Sequence, residues 1–315
     1  MKTSVVGSAL LPFGVAKVAH QAQPVPCLVG LSLQHPPVHL IAQPCNGLLV
    51  TGARADAALR YAEAFLRFYA LPAQVELQVE LAVPLGQGLG SDAALALTVA
   101  QTLAQFYALP ADNLPSLAAA VGLDTTDALA IYGAMHGGLL GVEVALGDEP
   151  RPSGLPVLVR QQPIAHPERH AWVFVLVLPR LAPGAALPDE RGLLAQIARV
   201  SASSEDPEET GEQLFAAAAA DDLATFARSL QSIESQTRQV LEQNQIVPAL
   251  TTDDKNVLDF MRSHGTIAQG RCLTGNAWWG LIGGASASQV LRAQLRRYPG
   301  LAGGMVMAAI ASKRS

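Results

Sequence analysis

Three glycines stand at alternate positions, Gly86, Gly88 and Gly90, in the stretch Pro84-Leu-Gly-Gln-Gly-Leu-Gly-Ser-Asp. Glycine turns sharply and lets a ligand approach the backbone N–H groups closely. Ser91 and Asp92 follow, residue types that cap a helix or sit beside a cation. A helix start exposes unpaired N–H groups and the positive end of the helix dipole. Gly86, Gln87, Gly88, Leu89, Gly90, Ser91 and Asp92 together suit the binding of a phosphate group. Ser91 and Asp92 are the residues of this loop that suit a Mg²⁺ ion.

The flanks say what positions this loop. Val75, Leu77, Val79, Leu81 and Val83 alternate with Gln74, Glu76, Gln78, Glu80 and Ala82, the period of a half-buried strand. Pro84 ends it, having no N–H to give to a ladder. Ala93 to Leu109 lacks Gly and Pro, and Leu95, Val99, Leu103 and Phe106 share one helical face. Ser91 or Asp92 is the expected N-cap. The unit is strand, glycine loop, helix. It is not a Walker loop, since no lysine is near; Lys2, Lys17, Lys255 and Lys313 are the only ones.

The rest of the chain sets bounds. It has 315 residues, 50% hydrophobic and 15% charged, with net charge −5 and mean hydropathy +0.26. That is one large or two medium folded domains, with no basic stripe for nucleic acid. Cys27, Cys45 and Cys272 are odd in number and far apart, unlike a disulfide framework or a zinc site. No apolar run reaches a membrane span without breakers, so a soluble cytoplasmic protein is expected.

Residues 1 to about 52 read as short strands and turns, and 55–69 as a helix. Asn113 caps a helix, Thr125 or Thr126 caps the next, and a strand follows His136-Gly137-Gly138. Gly147 to Pro156 is the linker candidate. In the second half Ala171 to Leu178 is an apolar strand, and a loop with Pro183, Gly184 and Pro188 follows. The acidic run around Glu205 reads as a solvated helix start. A helical tract covers 212–243, a helix 253–263, strands flank a turn near Gly275, a helix covers 286–297, and a last strand closes the chain. This is the split βαβ, ferredoxin-like order.

With those residues in place, Pro84-Leu-Gly-Gln-Gly-Leu-Gly-Ser-Asp-Ala-Ala resembles the PxxxGLGSSAA loop of the GHMP superfamily of small-molecule kinases (galactokinase, homoserine kinase, mevalonate kinase and phosphomevalonate kinase). Thr274-Gly-Asn-Ala-Trp-Trp-Gly resembles that superfamily's glycine-rich third motif. The resemblance implies an α+β, two-domain GHMP-kinase-like fold: an α/β domain like that of a small ribosomal protein over 1–156, with the phosphate loop at 84–94, and a ferredoxin-like domain over 157–315.

One branch, the β-ribofuranosylaminobenzene 5′-phosphate (beta-RFAP) synthases, is similar in further places. These are Ala9-Leu-Leu-Pro-Phe-Gly, Val29-Gly-Leu-Ser-Leu33, Met135-His-Gly-Gly138 and Trp278-Trp-Gly280. That branch implies joining of phosphoribosyl pyrophosphate (PRPP) to an aromatic acid with loss of pyrophosphate, in methanopterin biosynthesis. Where it carries Arg and His near the start, this chain has Leu10 and Pro12. Where it carries an Arg-Ser pair before the His-Gly-Gly helix, this chain has Thr126 and Asp127. The donor site implied here thus has fewer cations.

The resemblance implies Mg²⁺, held partly by Ser91 and Asp92, and PRPP or a nucleotide as substrate. It also implies an acceptor pocket of His136, Gly137, Gly138, Asn276, Trp278 and Trp279. Asp92, Asp127 and His136 are the candidates for catalysis, and Lys17 and Arg271 the cations to watch. The partner is a small phosphorylated molecule, not nucleic acid or a membrane, with room for a homodimer. Three readings stay open: the synthase, an ATP-dependent small-molecule kinase, and a diverged relative that binds without catalysis.

Overall fold

The first fifty residues, expected to form short strands, instead form two long antiparallel ones, β1 (Thr3–His20) and β2 (Gln23–Pro44). Three of their prolines sit where the ladder shifts register, between Gly7 and Ala9 and between Pro12 and Gly14. Pro12 and the Pro36-Pro37 pair fall at these breaks, where no ladder N–H is missed. The computed structural model describes residues 2–21, 23–110, 113–144, 154–164, 171–182, 184–201, 209–301 and 303–312.

β3 (Leu48–Gly52), α1 (Ala55–Phe68) and β4 (Val75–Leu81) follow, then α2 (Ser91–Phe106), α3 (Leu114–Ala120), α4 (Ala128–His136), β5 (Leu139–Glu143) and β6 (Leu158–Gln162). The first sheet runs β3-β4-β2-β5-β6, with β1 also paired to β2. Val75, Leu77 and Val79, the inward half of the alternation in β4, are buried. α2 packs on β1 so closely that a Cβ at Gly7 would meet the Thr98 side chain. β6 extends this sheet beyond residue 156, so the sheets change between 162 and 172. Most of the linker candidate lies outside the described residues.

The second sheet is formed by β7 (Trp172–Leu178), β8 (Ala268–Arg271), β9 (Trp278–Gly283) and β10 (Met305–Ala309), in the order β10-β7-β9-β8. That is the ferredoxin-like order, all antiparallel. β7 is buried on both faces, which explains its unbroken apolar sequence. Phe174 and Leu176 face the common core with Trp279 and Leu281. Val173, Val175 and Val177 face a smaller cluster with Val257, Met261 and Leu291.

Between β7 and β8 lie α5 (Glu190–Ser201), α6 (Glu209–Ala219), α7 (Leu223–Gln243) and α8 (Thr252–Ser263); α9 (Ala285–Leu295) connects β9 and β10. The helical tract expected over 212–243 is two helices. Asp221 has φ 58° and Asp222 caps α7 through Thr225 N–H at 3.1 Å, so the chain turns there. The acidic run is mostly outside the described residues. Its last member, Glu212, is not simply solvated: it pairs with Arg160 and accepts the N–H of Ala19 at 2.6 Å. α5 follows the expected loop of Pro183, Gly184 and Pro188, and its first turn reaches the glycine loop.

Candidate functional site

Gly86, Gly88 and Gly90 all have positive φ, at 68°, 79° and 66°, the region open to glycine at little cost. This turns the N–H groups of Gly88, Gly90 and Ser91 toward one point. Gly90, not Ser91 or Asp92, is the N-cap of α2, and no side chain caps it. The cap comes from a distant residue. Glu190, at the start of α5, accepts the N–H of Gly88 on one carboxylate oxygen at 3.0 Å. Its other oxygen accepts the N–H groups of Gly90 at 3.0 Å and Ser91 at 3.3 Å. Three donors on one anion are the arrangement a phosphate would need.

The rest of the first turn of α5 is also engaged. Arg191 pairs with Asp124 at 2.9 Å and with Asp127 at 2.6 Å. Asp124, rather than Thr125 or Thr126, caps the 3-10 turn Thr125–Asp127 that leads into α4. Its carboxylate accepts Thr126 N–H at 2.8 Å, and Asp127 accepts Asp124 N–H at 3.0 Å. Carboxylates serve this reciprocal box better than hydroxyls because the dipole favours negative charge. Leu194 lines the cleft with Leu10, Pro12, Gly90, Asp127 and Thr274, and the remaining space is about 20 Å³. That admits about one water, whereas ligand pockets run to roughly 300 Å³ or more.

Burial pushes the Glu190 carboxyl above its ordinary pKa despite the bonds from Gly88, Ser91 and Gly90, and Asp92 adds to the rise. Burial also raises Asp127, outweighing the Asp124 N–H and Arg191. Asp127 is a buried side chain at the mouth of the phosphate cradle, and a carboxylate with a raised pKa suits a general base.

The opposite side of the loop faces the second domain. Gly86 C=O accepts the backbone N–H of Asn276 at 3.0 Å and its side-chain N–H at 2.9 Å; Gln87 C=O accepts Ala277 N–H at 3.2 Å. The approach is close: a Cβ at Gly88 would lie 2.7 Å from Gly275 N and 2.8 Å from Cys272 Cβ. Arg271 donates to Asn276 at 2.9 Å and pairs with Asp254 at 3.3 Å, which also accepts Trp278 Nε1–H at 3.0 Å.

Residues 55–138 match the family model described as GHMP kinases N terminal domain. The whole chain is similar in fold to solved small-molecule kinases. Homoserine kinase from Cytophaga hutchinsonii superposes with TM-score 0.63 at 14% identity, covering 100% of this chain and 96% of that one. Mevalonate kinase of L. major, in complex with R-mevalonate, gives 0.67 at 11%, covering 99% and 96%. MDDEF, in complex with MVAPP, AMPPCP and magnesium, gives 0.62 at 11%, covering 100% and 98%. No curated protein matches the sequence. Residues 55–138 thus carry the match to a GHMP kinase N-terminal domain, and the chain as a whole shares the fold of these kinases.

The glycine loop gathers Gly86 to Asp92 with Asn276 and Asp127, but not the rest of the expected pocket. His136 ends α4 and stacks on Tyr132. It lies nine residues beyond Asp127, roughly 13 Å along the helix. Gly137 and Gly138 make the turn into β5, where Gly138 N–H donates to Ser312 C=O at 3.0 Å. Trp279 is fully buried against Phe13 and Phe174. Trp278 points to the other face of its sheet and is held by Asp254. Neither lines the cleft, because neighbours in a strand face opposite ways and both faces of this strand are covered. Lys17 lies where α6 packs on β1.

Two cations escaped the sequence reading. Arg54 donates to the Ser91 carbonyl at 2.9 Å and pairs with Asp92; Arg191 is the other. A basic residue just before a helix, as Arg54 is before α1, opposes the dipole, which is the signal that was there to find.

Ser91 and Asp92 do not fit a Mg²⁺ site in this arrangement. Magnesium wants oxygens in near-octahedral array, but one oxygen of the half-exposed Asp92 is taken by Arg54, Asp127 pairs with Arg191, and Glu190 accepts three N–H groups. Among the described residues no group of three potential ligands is arranged for a metal. The three cysteines are free, and burial pushes the Cys27 thiol up to about 12.

Proposed function

We propose that this chain is a GHMP-type transferase that holds a phosphate of its substrate in the loop Gly86–Asp92, and that its reaction is ATP-dependent phosphorylation of a small molecule. The observation that carries this reading is the convergence of three backbone N–H groups on one anion, at 3.0 to 3.3 Å. In phosphoryl transfer the protein mainly positions and neutralises charge, and a backbone cradle at a helix start serves that end. Asp127 is the group this reading assigns to take the proton of the acceptor hydroxyl. The likeness in fold to homoserine kinase and mevalonate kinase supports it. Asp127→Asn should then lower kcat far more than it weakens nucleotide binding.

The synthase reading rests on the segments around Leu10, Val29, His136 and Trp278. The geometry favours it less. Leu10 and Pro12 line the cleft where a phosphoribosyl donor would want cations, and neither tryptophan offers a flat slot. A cytoplasmic location and a homodimer accompany either reading. Among the described residues no helix is long and apolar enough to cross a membrane.

The deciding assay follows ADP release from ATP, and pyrophosphate release from PRPP with aromatic acids, over a panel of small alcohols and acids. ADP release that depends on an acceptor supports the kinase. Pyrophosphate release without ADP release moves the assignment to the synthase. Silence on both panels, with ATP still bound, leaves the non-catalytic relative.

A further inference from the structure

We propose that the start of α5 is an internal occupant of the phosphate site, with Glu190 standing where the ligand's phosphate belongs, so that the site loads only when this turn withdraws. The proposal rests on the phosphate reading of the loop and adds its regulation.

The carboxylate meets every donor the loop directs to that point. Its two oxygens span Gly88, Gly90 and Ser91, so a phosphate and Glu190 cannot share the cradle. Exclusion extends past one side chain. Arg191 bridges Asp124 and Asp127 across the cleft, Leu194 fills its floor, and Leu187 and Pro188 lie over Gly86. With α5 seated, about 20 Å³ is left.

The seat is also one that a ligand can win. Leu187 is 49% exposed and the Arg191 side chain 39% exposed, so both are half in water already. Burial works against the charged form of Glu190. A pyrophosphate or triphosphate brings more oxygens and more charge to the same N–H groups than one carboxylate does. Withdrawal also releases Asp127 from Arg191 as the cradle opens, so the same movement frees the anion site and the buried carboxylate beside it. The chemical class of ligand that opens the site is therefore a polyphosphate ester, nucleoside triphosphate included. A single carboxylate ligand has no such advantage.

The test uses the full chain. Binding of inorganic pyrophosphate and of ATP is measured by calorimetry for the wild type, Glu190→Ala, Glu190→Gln and Arg191→Ala. Apparent affinity scales with the fraction of open molecules, so removing the occupant should tighten binding about tenfold. Glu190→Gln keeps the size of the side chain should Glu190→Ala fail to fold. In parallel, amide exchange of the wild type with saturating pyrophosphate should speed up over 193–200 while Gly88, Gly90 and Ser91 stay slow. Equal affinity in all four proteins, with exchange in α5 unchanged, would overturn the occupant and leave the phosphate site standing. No binding of either probe by any of them would overturn the phosphate reading itself, and the occupant with it.

Discussion

The two sides of the glycine loop are held in different ways. Its carbonyls, at Gly86 and Gln87, are met by the backbone and the asparagine of a strand turn, with glycine against glycine at 88 and 275. Its N–H groups are met by a single carboxylate on a half-exposed helix start. Backbone partners packed without room for a Cβ are permanent. A side chain on a separate helix can leave. One strip of seven residues therefore has a fixed face and an exchangeable face, and only the second is available for chemistry.

The largest expected effect lies at the fixed face. Gly275→Val puts a side chain against the Gly88 backbone at under 3 Å. Neither partner is a flexible chain end, so we expect a loss of about 3 kcal/mol or more, read as the urea midpoint. Asn276→Ala removes the side-chain bond to Gly86 and the acceptor of one Arg271 nitrogen, leaving Arg271 paired with Asp254, which should cost about 1–3 kcal/mol and leave the fold intact by circular dichroism.

Asp254 stands behind that face. Burial pushes its carboxyl up, but the Thr251 bonds, Arg271 and Trp278 outweigh this and hold it below the usual range. A depressed carboxyl stabilises the fold above its unfolded pKa of about 3.9, and that contribution is lost as pH falls through the folded value. Asp254→Asn should therefore flatten the acid limb of a stability–pH curve. Glu190, on the exchangeable face, has the opposite sign and the smallest effect. Its pKa is raised, so the folded chain binds the proton more tightly than the unfolded one. Stability from this group grows as pH falls from the raised value toward about 4.3, and Glu190→Gln should abolish that gain with little change at pH 7. A wild type and Glu190→Gln that track each other throughout would mean the carboxylate is not held in the cradle in solution.

Much of the fixed face was legible. The alternation through Val75 to Val83, the glycines and the Ala/Leu run after Asp92 are local patterns, and local patterns survive in sequence. So does the order of elements after Ala171, which gave the ferredoxin-like sheet. The exchangeable face was not legible. Glu190 lies 102 residues from Gly88, and nothing local distinguishes a carboxylate that caps another helix from one that ends its own in water. Pro188 and Gly192 bracket Glu190 and Arg191, and such punctuation hides a helix start. The adjacent tryptophans showed that two faces were needed; that both faces were already filled depends on Phe13 and Asp254, far away in the chain. The prolines of the first strands misled for a related reason. A proline ends a strand only where its N–H is wanted, and the register breaks at Gly7 and Pro12 are decided by pairing partners.

Trp279 carries one more consequence. Phe13 comes from the first sheet, Phe174 and Trp279 from the second, and their rings pack at centroid distances of 5.5 to 6.1 Å in a seam with no exposed surface on any of the three. Two halves joined in this way do not swing apart like a clamshell, since opening the angle between them would wet three aromatic rings at once. Traffic into the cleft has to come past α5, from the side. The rate at which this molecule admits a ligand should then follow the departure of one helical turn.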